Sequence, residues 1–328
     1  MNSLTYTCEV ITPMFLGGHD GKTAELRAPS VKGALRYWWR VLNSYQDVNK
    51  MHQIEADIFG SSHQDYQQKS KISIRVEGVH LTPTRKNLPQ HNISVKIKNK
   101  SLNLNILDYL SFGTYEFKKG FIRDYYSPGD KFKIYVNYPD DLDEEILQEV
   151  DTAMYLCSFI GGLGSRTRNG FGKFLIEEMF EEDDYYTSDH ISGLVYKSDG
   201  NPVEYTAFSK ETKIFKTQKG YNAWHEALAE IGKAYHSARN NIEPKHVFKK
   251  RELISAPIME GKKQVSKLER HAKPYFLSVM KNRSGKYDGY IFALPYKYYY
   301  ESKQDYYENV IKEFNKKLND YKNLQVVL

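Results

Sequence analysis

Cysteine is nearly absent: Cys8 and Cys157 are the two in 328 residues, far apart and without Cys or His neighbours at metal-ligand spacing. That excludes a disulfide scaffold and a zinc ribbon, and both read as reduced, buried thiols of a cytoplasmic protein. No apolar run reaches the ~18 residues of a membrane span, and the first residues lack the basic and apolar stretches of a signal peptide. There is no H-E-x-x-H, no paired C-x-x-C and no P-loop, so no metal and no cofactor is expected. Net charge is also small, +6 from 47 Lys and Arg against 41 Asp and Glu. A surplus of that size does not by itself imply a polyanionic partner, and its placement matters more than its sum.

Glycine and arginine are concentrated in one place. Residues 161–172 hold Gly161, Gly162, Gly164, Gly170 and Gly172 with Arg166 and Arg168, between a helix-like run and a strand-like one. Glycine lets backbone amides turn toward a ligand, and guanidinium forks match phosphate oxygens. The stretch therefore reads as a cradle for a phosphodiester backbone, made by Gly162, Gly164, Ser165, Arg166, Arg168 and Asn169. A dinucleotide fingerprint fits poorly, because Thr167 stands where its third glycine belongs and the helix precedes the loop. A purely structural glycine turn remains the bland alternative.

Hydropathy periods give a mixed α+β chain. Leu4 to Val10 alternates as a strand, and Ser30 reads as the N-cap of a helix from Val31 to about Asn43. A short helix over 51–58 ends at Gly60; strands follow over 71–79, 93–97 and 132–136. A helix from Leu142 to Phe159 leads into the glycine loop, and a strand over 173–176 leaves it. This is the β-α-β-β-α-β order of a ferredoxin-like domain over 1–180, with extra pieces between its second and third strands. Residues 181–203, opened by a run of Glu and Asp, read as an acidic, exposed linker. Beyond it, 204–328 predicts strands over 203–215, 275–280 and 287–294, helices over 221–240 and 303–321, and a short last strand. That fits a second, diverged ferredoxin-like domain, although it has no second glycine–arginine loop.

On the first long helix, at about 100° per residue, Trp38 joins the core stripe of Val31, Ala34, Leu35, Val41 and Leu42. Lys32, Arg36, Trp39 and Arg40 fall on the opposite arc. A basic face holding one indole suits a nucleic acid strand, with phosphate on the cations and a base on the ring. Cover by a neighbouring domain or subunit is the other reading of Trp39. Arg27 adds charge near the helix start. Residues 245–286 carry twelve Lys or Arg, including Lys262, Arg270 and Lys273, against three Glu, a local +9 that exceeds the whole chain. The 27 tyrosines can stack on bases but are also ordinary strand residues. His19, in a glycine-rich loop, is the one candidate general acid or base.

These segments resemble the RAMP superfamily of CRISPR proteins, most like the first RAMP subunit of type III-B (Cmr) effector complexes. The resemblance rests on Ile11 to Gly18 with Glu25 to Arg40, on Ile58-Phe59-Gly60, and on the glycine-rich loop. In the second half, Glu269 to Pro274 and Leu294-Pro295 match less closely, with Lys273 where the family has Ser. The resemblance implies two ferredoxin-like domains and a non-catalytic subunit that holds guide crRNA and target RNA beside other Cmr subunits. The isolated chain is expected to be monomeric. The competing expectation is a metal-independent endoribonuclease acting on repeat RNA through His19.

Overall fold

The computed structural model describes residues 2–328 except 46, 98, 99, 117, 118, 182–186, 197, 199, 261 and 262. The first half opens with strand β1 (Asn2–Val10), helix α1 (Ala28–Leu42) and helix α2 (Val48–Phe59), followed by β2 (Ser73–His80). A hairpin of β3 (Asn92–Ile97) and β4 (Lys100–Asn105) is inserted before β5 (Lys131–Tyr138). Helix α3 (Glu144–Leu156) and strand β6 (Phe174–Ile176) complete it. The sheet runs β2-β5-β1-β6, every pair antiparallel. Along β5, Phe132, Ile134 and Val136 are buried and their neighbours are half-exposed, so one face lies on the core and the other is wet. Helix α1 packs on α3.

Several expected boundaries move. Ser30 is not the cap of α1; Arg27 is, and Pro29 lies inside the first turn, where a missing N–H costs nothing. The regular turns of α3 stop at Leu156 and continue as a wider π-type turn over Cys157–Gly161. The expected linker is not simply an exposed connector. Residues 182–186, 197 and 199 lie outside the described residues, but helix α4 (Ser188–Tyr196) buries Ile191 and Val195 in the core. The strand expected from residue 203 begins at Lys213.

The second half repeats the order of the first: β7 (Lys213–Thr217), α5 (Trp224–Asn240), β8 (Tyr275–Lys281), β9 (Tyr287–Ala293), α6 (Gln304–Asn319) and β10 (Leu324–Val326). Its sheet runs β8-β9-β7-β10, again antiparallel and in the same relative order as the first. Strands β8 and β9 are buried on both faces. Tyr275 turns to Tyr235 of α5 and Phe314 of α6. Phe276 and Phe292 turn the other way, onto Trp38 and Phe159 of the first half, at ring separations of 5.5 and 5.6 Å. The Ser278 hydroxyl donates to the Phe159 carbonyl. The π-type turn is therefore the seat on which the second sheet rests.

Lys173 secures that turn from below. Its side chain is fully buried, and its ammonium donates to the Ile160 and Gly161 carbonyls at the helix C-terminus, where a cation is favoured. Burial holds its pKa down to about 7. Above that pH the folded form has shed a proton that the unfolded lysine keeps until about 10.5, so this residue's contribution to stability rises with pH across that window. Denaturant titrations at pH 7 and pH 9 should show the wild type gaining stability relative to Lys173→Met; a pH-independent difference would refute this.

Candidate functional site

The glycine loop leaves the π-type turn, doubles back under residues 13–16 and enters β6. Its glycines are packing residues first. Gly164 has φ 94°, and a Cβ there would strike the Phe15 carbonyl; Gly161 lies against the Trp38 indole. Most of its amides are engaged internally: Leu163 N–H donates to Gly172 O (2.9 Å), Ser165 N–H to Phe15 O (2.8 Å) and Gly172 N–H to Pro13 O (2.9 Å). The reading of the glycines as an amide cradle is corrected accordingly: Gly162 and Gly172 fold the loop onto itself. The amides of Arg166, Thr167 and Arg168 have no partner among the described residues.

The two arginines part company. Arg168 is built in: it donates to the Lys273 carbonyl and to Tyr37 Oη (3.0 Å), and its guanidinium lies 4.7 Å from the Phe276 ring centre. Its backbone carbonyl ties the loop to the second sheet, with Leu277 N–H donating to Arg168 O (3.1 Å). Asn169 is likewise committed, donating to Leu110 O (2.7 Å) and accepting from Lys273 Nζ (2.7 Å). Arg166 is exposed, in the left-handed region at φ 63°, with no side-chain partner among the described residues. A non-glycine residue held there is sparsely populated and marks an over-determined, often functional position.

Arg166 opens into a cleft of about 580 Å³ between the two halves. Gly113, Thr114 and Arg123 of the first half form one side, the loop residues Ser165 to Asn169 the floor, and Ser255, Ala272 and Lys273 the other side. Arg123 donates to Ser165 Oγ (3.3 Å). Arg166 is accessible from the cleft mouth but its guanidinium is partly screened from water by the cleft walls, and that desolvation, then the neighbouring Arg123, hold its pKa below the usual value. Lys273 is buried, with its ammonium on Asn169 and 4.2 Å from the Tyr235 ring centre, and burial followed by Arg168 depresses its pKa strongly. Arg123, Arg166, Arg168 and Lys273 thus line one cleft that no carboxylate lines. Like charges gathered without a counter-ion are what an anion would relieve.

The helix face expected to share this groove does not reach it. Trp39 is fully buried; its Nε1–H donates to Glu149 (2.6 Å) and its ring packs on Tyr45 and Phe59. It belongs to the core and offers no ring to a base. Arg36 and Arg40 each place Nε 2.5 Å from the same oxygen of Glu55, a buried residue of α2. Lys32 donates to Ser70 Oγ (2.7 Å) and to Ile72 O (3.4 Å). The wheel treats this arc as solvent-facing, whereas α2 closes over it. Arg27 is exposed but lines no part of the cleft, and Arg270 is exposed on a neighbouring one. Lys262 lies outside the described residues.

Arg123 went unrecognised in the sequence. It lies in the irregular, aromatic stretch between β4 and β5, and only the basic residues scattered there hint at it. A larger cavity, about 770 Å³, lies between α6 and the second sheet and shares no residue with the glycine loop. Among the described residues, no helix is long and apolar enough to cross a membrane.

The chain belongs to the RAMP superfamily, which it matches over residues 7–175. Among curated relatives it is similar to the CRISPR system Cmr subunit Cmr1-1 of Pyrococcus furiosus, 31% identical over 164 residues. That match takes in 48% of this chain and 42% of the relative, so less than half of Cmr1-1 is represented. Subunit Cmr1-2 of the same organism is 26% identical over 193 residues, 55% of this chain and 98% of the relative. The fold is that of the apo crystal structure of Cmr1 from Pyrococcus furiosus, with a TM-score of 0.61, 21% identity, and 100% and 99% of the two chains covered. A chain of the type III-B Cmr-beta complex bound to cognate target RNA superposes with a TM-score of 0.56 at 12% identity, over 96% and 99% of the two chains.

Glu55→Gln should lower stability by about 3 kcal/mol, the low end for breaking a buried pair, because both arginines keep about a third of their surface. Urea unfolding would measure it. Unchanged stability would mean that Glu55 does not hold Arg36 and Arg40 and that both are free at the surface.

Proposed function

We propose that this chain is a non-catalytic, RNA-binding subunit of a type III-B CRISPR effector, built from two ferredoxin-like domains in tandem. It grips the backbone of the guide crRNA or the target RNA in the cleft between its halves. One observation carries the reading. Arg166, in a strained backbone conformation and without a carboxylate, stands with Arg123 in a cleft lined by three arginines and no acid. Arg168, Asn169 and Lys273 position the loop, while Arg166 and Arg123 make the phosphate contacts. The repeated strand order of the two halves supports the tandem architecture. Cmr1 subunits among the relatives, and a structural neighbour in a complex bound to cognate target RNA, support the assignment to such an effector.

Contacts of this kind carry no base information, so recognition is indifferent to sequence and is left to guide–target pairing. Arg123→Ala with Arg166→Ala should weaken binding equally for unrelated single-stranded RNAs. The log–log salt slope should flatten by about 0.7 per arginine removed. An unchanged slope would sink the phosphate role.

The absence of catalysis is part of the proposal. His19 is exposed in the 17–24 turn, and the carboxylate next to it, Asp20, is already engaged by the amides of Lys22 and Thr23 and by the Thr23 hydroxyl. Repeat RNA incubated with the protein in EDTA should stay intact. Specific cleavage abolished by His19→Ala would establish the endoribonuclease instead.

A further inference from the structure

The segment that supplies Lys273 to the cleft continues backwards through His271 and Arg270 into a second cleft of about 750 Å³. Its walls include Lys267, Arg270, His271, Tyr298, Tyr299 and Tyr300. The three tyrosines are consecutive and lie outside any strand, just before α6. Beneath them is a fixed aromatic stack. Tyr298 is buried and lies parallel to Tyr307 at 5.1 Å, the His271 ring closes on both, and the Tyr296 hydroxyl donates to the Ala272 carbonyl (2.8 Å). Above it the rings are bare: Tyr299 is 85% exposed and Tyr300 48%. A tyrosine that exposed contributes almost nothing to the fold, yet it is held edge-to-face on its neighbour, the ring centres 4.8 Å apart. Lys267 and Arg270, both exposed, flank the rings, and Lys303 lies 5.7 Å from the centre of Tyr300; Glu269 and Glu301 are the nearby acids.

We infer that Tyr299 and Tyr300 form a stacking platform for one or two unpaired bases of the RNA strand whose phosphates occupy the Arg123–Arg166 cleft. The inference rests on that reading of the cleft. Exposed rings on a rigid base, interleaved with cations, are how proteins hold single strands regardless of sequence. Geometry ties the two sites together: Arg270 and Lys273 are three residues apart, so their Cα atoms are at most about 11 Å from one another. The two clefts therefore adjoin along one short stretch of chain. Beside the rings the cleft is lined by Gln264, Lys267, Glu269, Arg270 and one aliphatic residue, Leu268, a mixture of rings and cations that suits a base on its phosphate chain.

Binding of a labelled oligouridylate, long enough to span both clefts, would be followed by fluorescence anisotropy on the full chain across a salt series. Tyr299→Ala with Tyr300→Ala should weaken binding by about five- to a hundredfold at every salt concentration while leaving the salt slope unchanged, because no charge is lost. Tyr299→Phe with Tyr300→Phe should bind like the wild type, since the ring face is kept. Wild-type affinity in the double alanine variant overturns the platform, and if that variant also loses association with another effector subunit, the tyrosines are a protein interface. Should Arg123→Ala with Arg166→Ala leave affinity and slope untouched while the tyrosine variant weakens binding, the cleft falls and the platform stands.

Discussion

The contact between the π-type turn at Cys157–Gly161 and the inner face of the second sheet is the constraint from which the rest follows. Phe159 meets Tyr290 and Phe292 edge-on, Trp38 meets Phe276, and the Ser278 hydroxyl closes on the Phe159 carbonyl. Each aromatic contact adds to the apolar burial already there, and together they leave β8 and β9 with no wet face. A sheet packed on both sides cannot slide against its neighbour, so the glycine loop that emerges from the turn has one place to go. It lies against Leu277 and Leu228 of the second half, and its arginine tip is delivered to the junction.

That arrangement explains why the loop needs glycine, and the reason differs from the one its composition suggests. The loop threads between the Phe15 carbonyl, the Trp38 indole and a leucine of α5, each too close for a Cβ. Glycine buys proximity here, and the anion-binding potential falls to the side chains that are left over. Arg168 illustrates the distinction. Its guanidinium has two oxygen partners and an aromatic face, so it stabilises the junction, whereas Arg166 two residues earlier has none of these.

Much of the architecture was legible in the residues. Strict alternation in β1 and β5, the apolar stripe of α1 and the spacing of Trp224, Leu228, Ile231 and Tyr235 in α5 all name one buried face, and one buried face is what a period reveals. Trp39 shows where such reasoning ends. Its arc is as basic as any solvated face, but Glu55 lies buried in α2, and a buried carboxylate must find cations. The basic character of Lys32, Arg36 and Arg40 was the counterpart of that burial, which no count within α1 could disclose. Arg123 escaped notice for the complementary reason: it lies in an irregular stretch with no period, and only the fold brings it beside Ser165.

The distribution of cations follows the same division between paired and unpaired groups. Within the basic segment 245–286, Arg251 is tied to Glu243 (3.2 Å) and Lys250 to Glu313 (2.6 Å), while Lys273 is enclosed by Asn169 and Tyr235. Local charge of +9 therefore overstates what that segment presents to solvent. Where the halves meet, Arg166 and Arg123 face no carboxylate in the wall of the cleft, and the same segment continues to the exposed Arg270. Other exposed lysines, Lys249, Lys263 and Lys286 among them, stand singly in solvent, so what sets the cleft apart is that its cations are gathered in one concavity with no acid in its wall. The modest net charge of the whole molecule is then no argument against a polyanionic partner, because attraction at short range depends on the unpaired groups and is screened beyond about 10 Å at ordinary ionic strength.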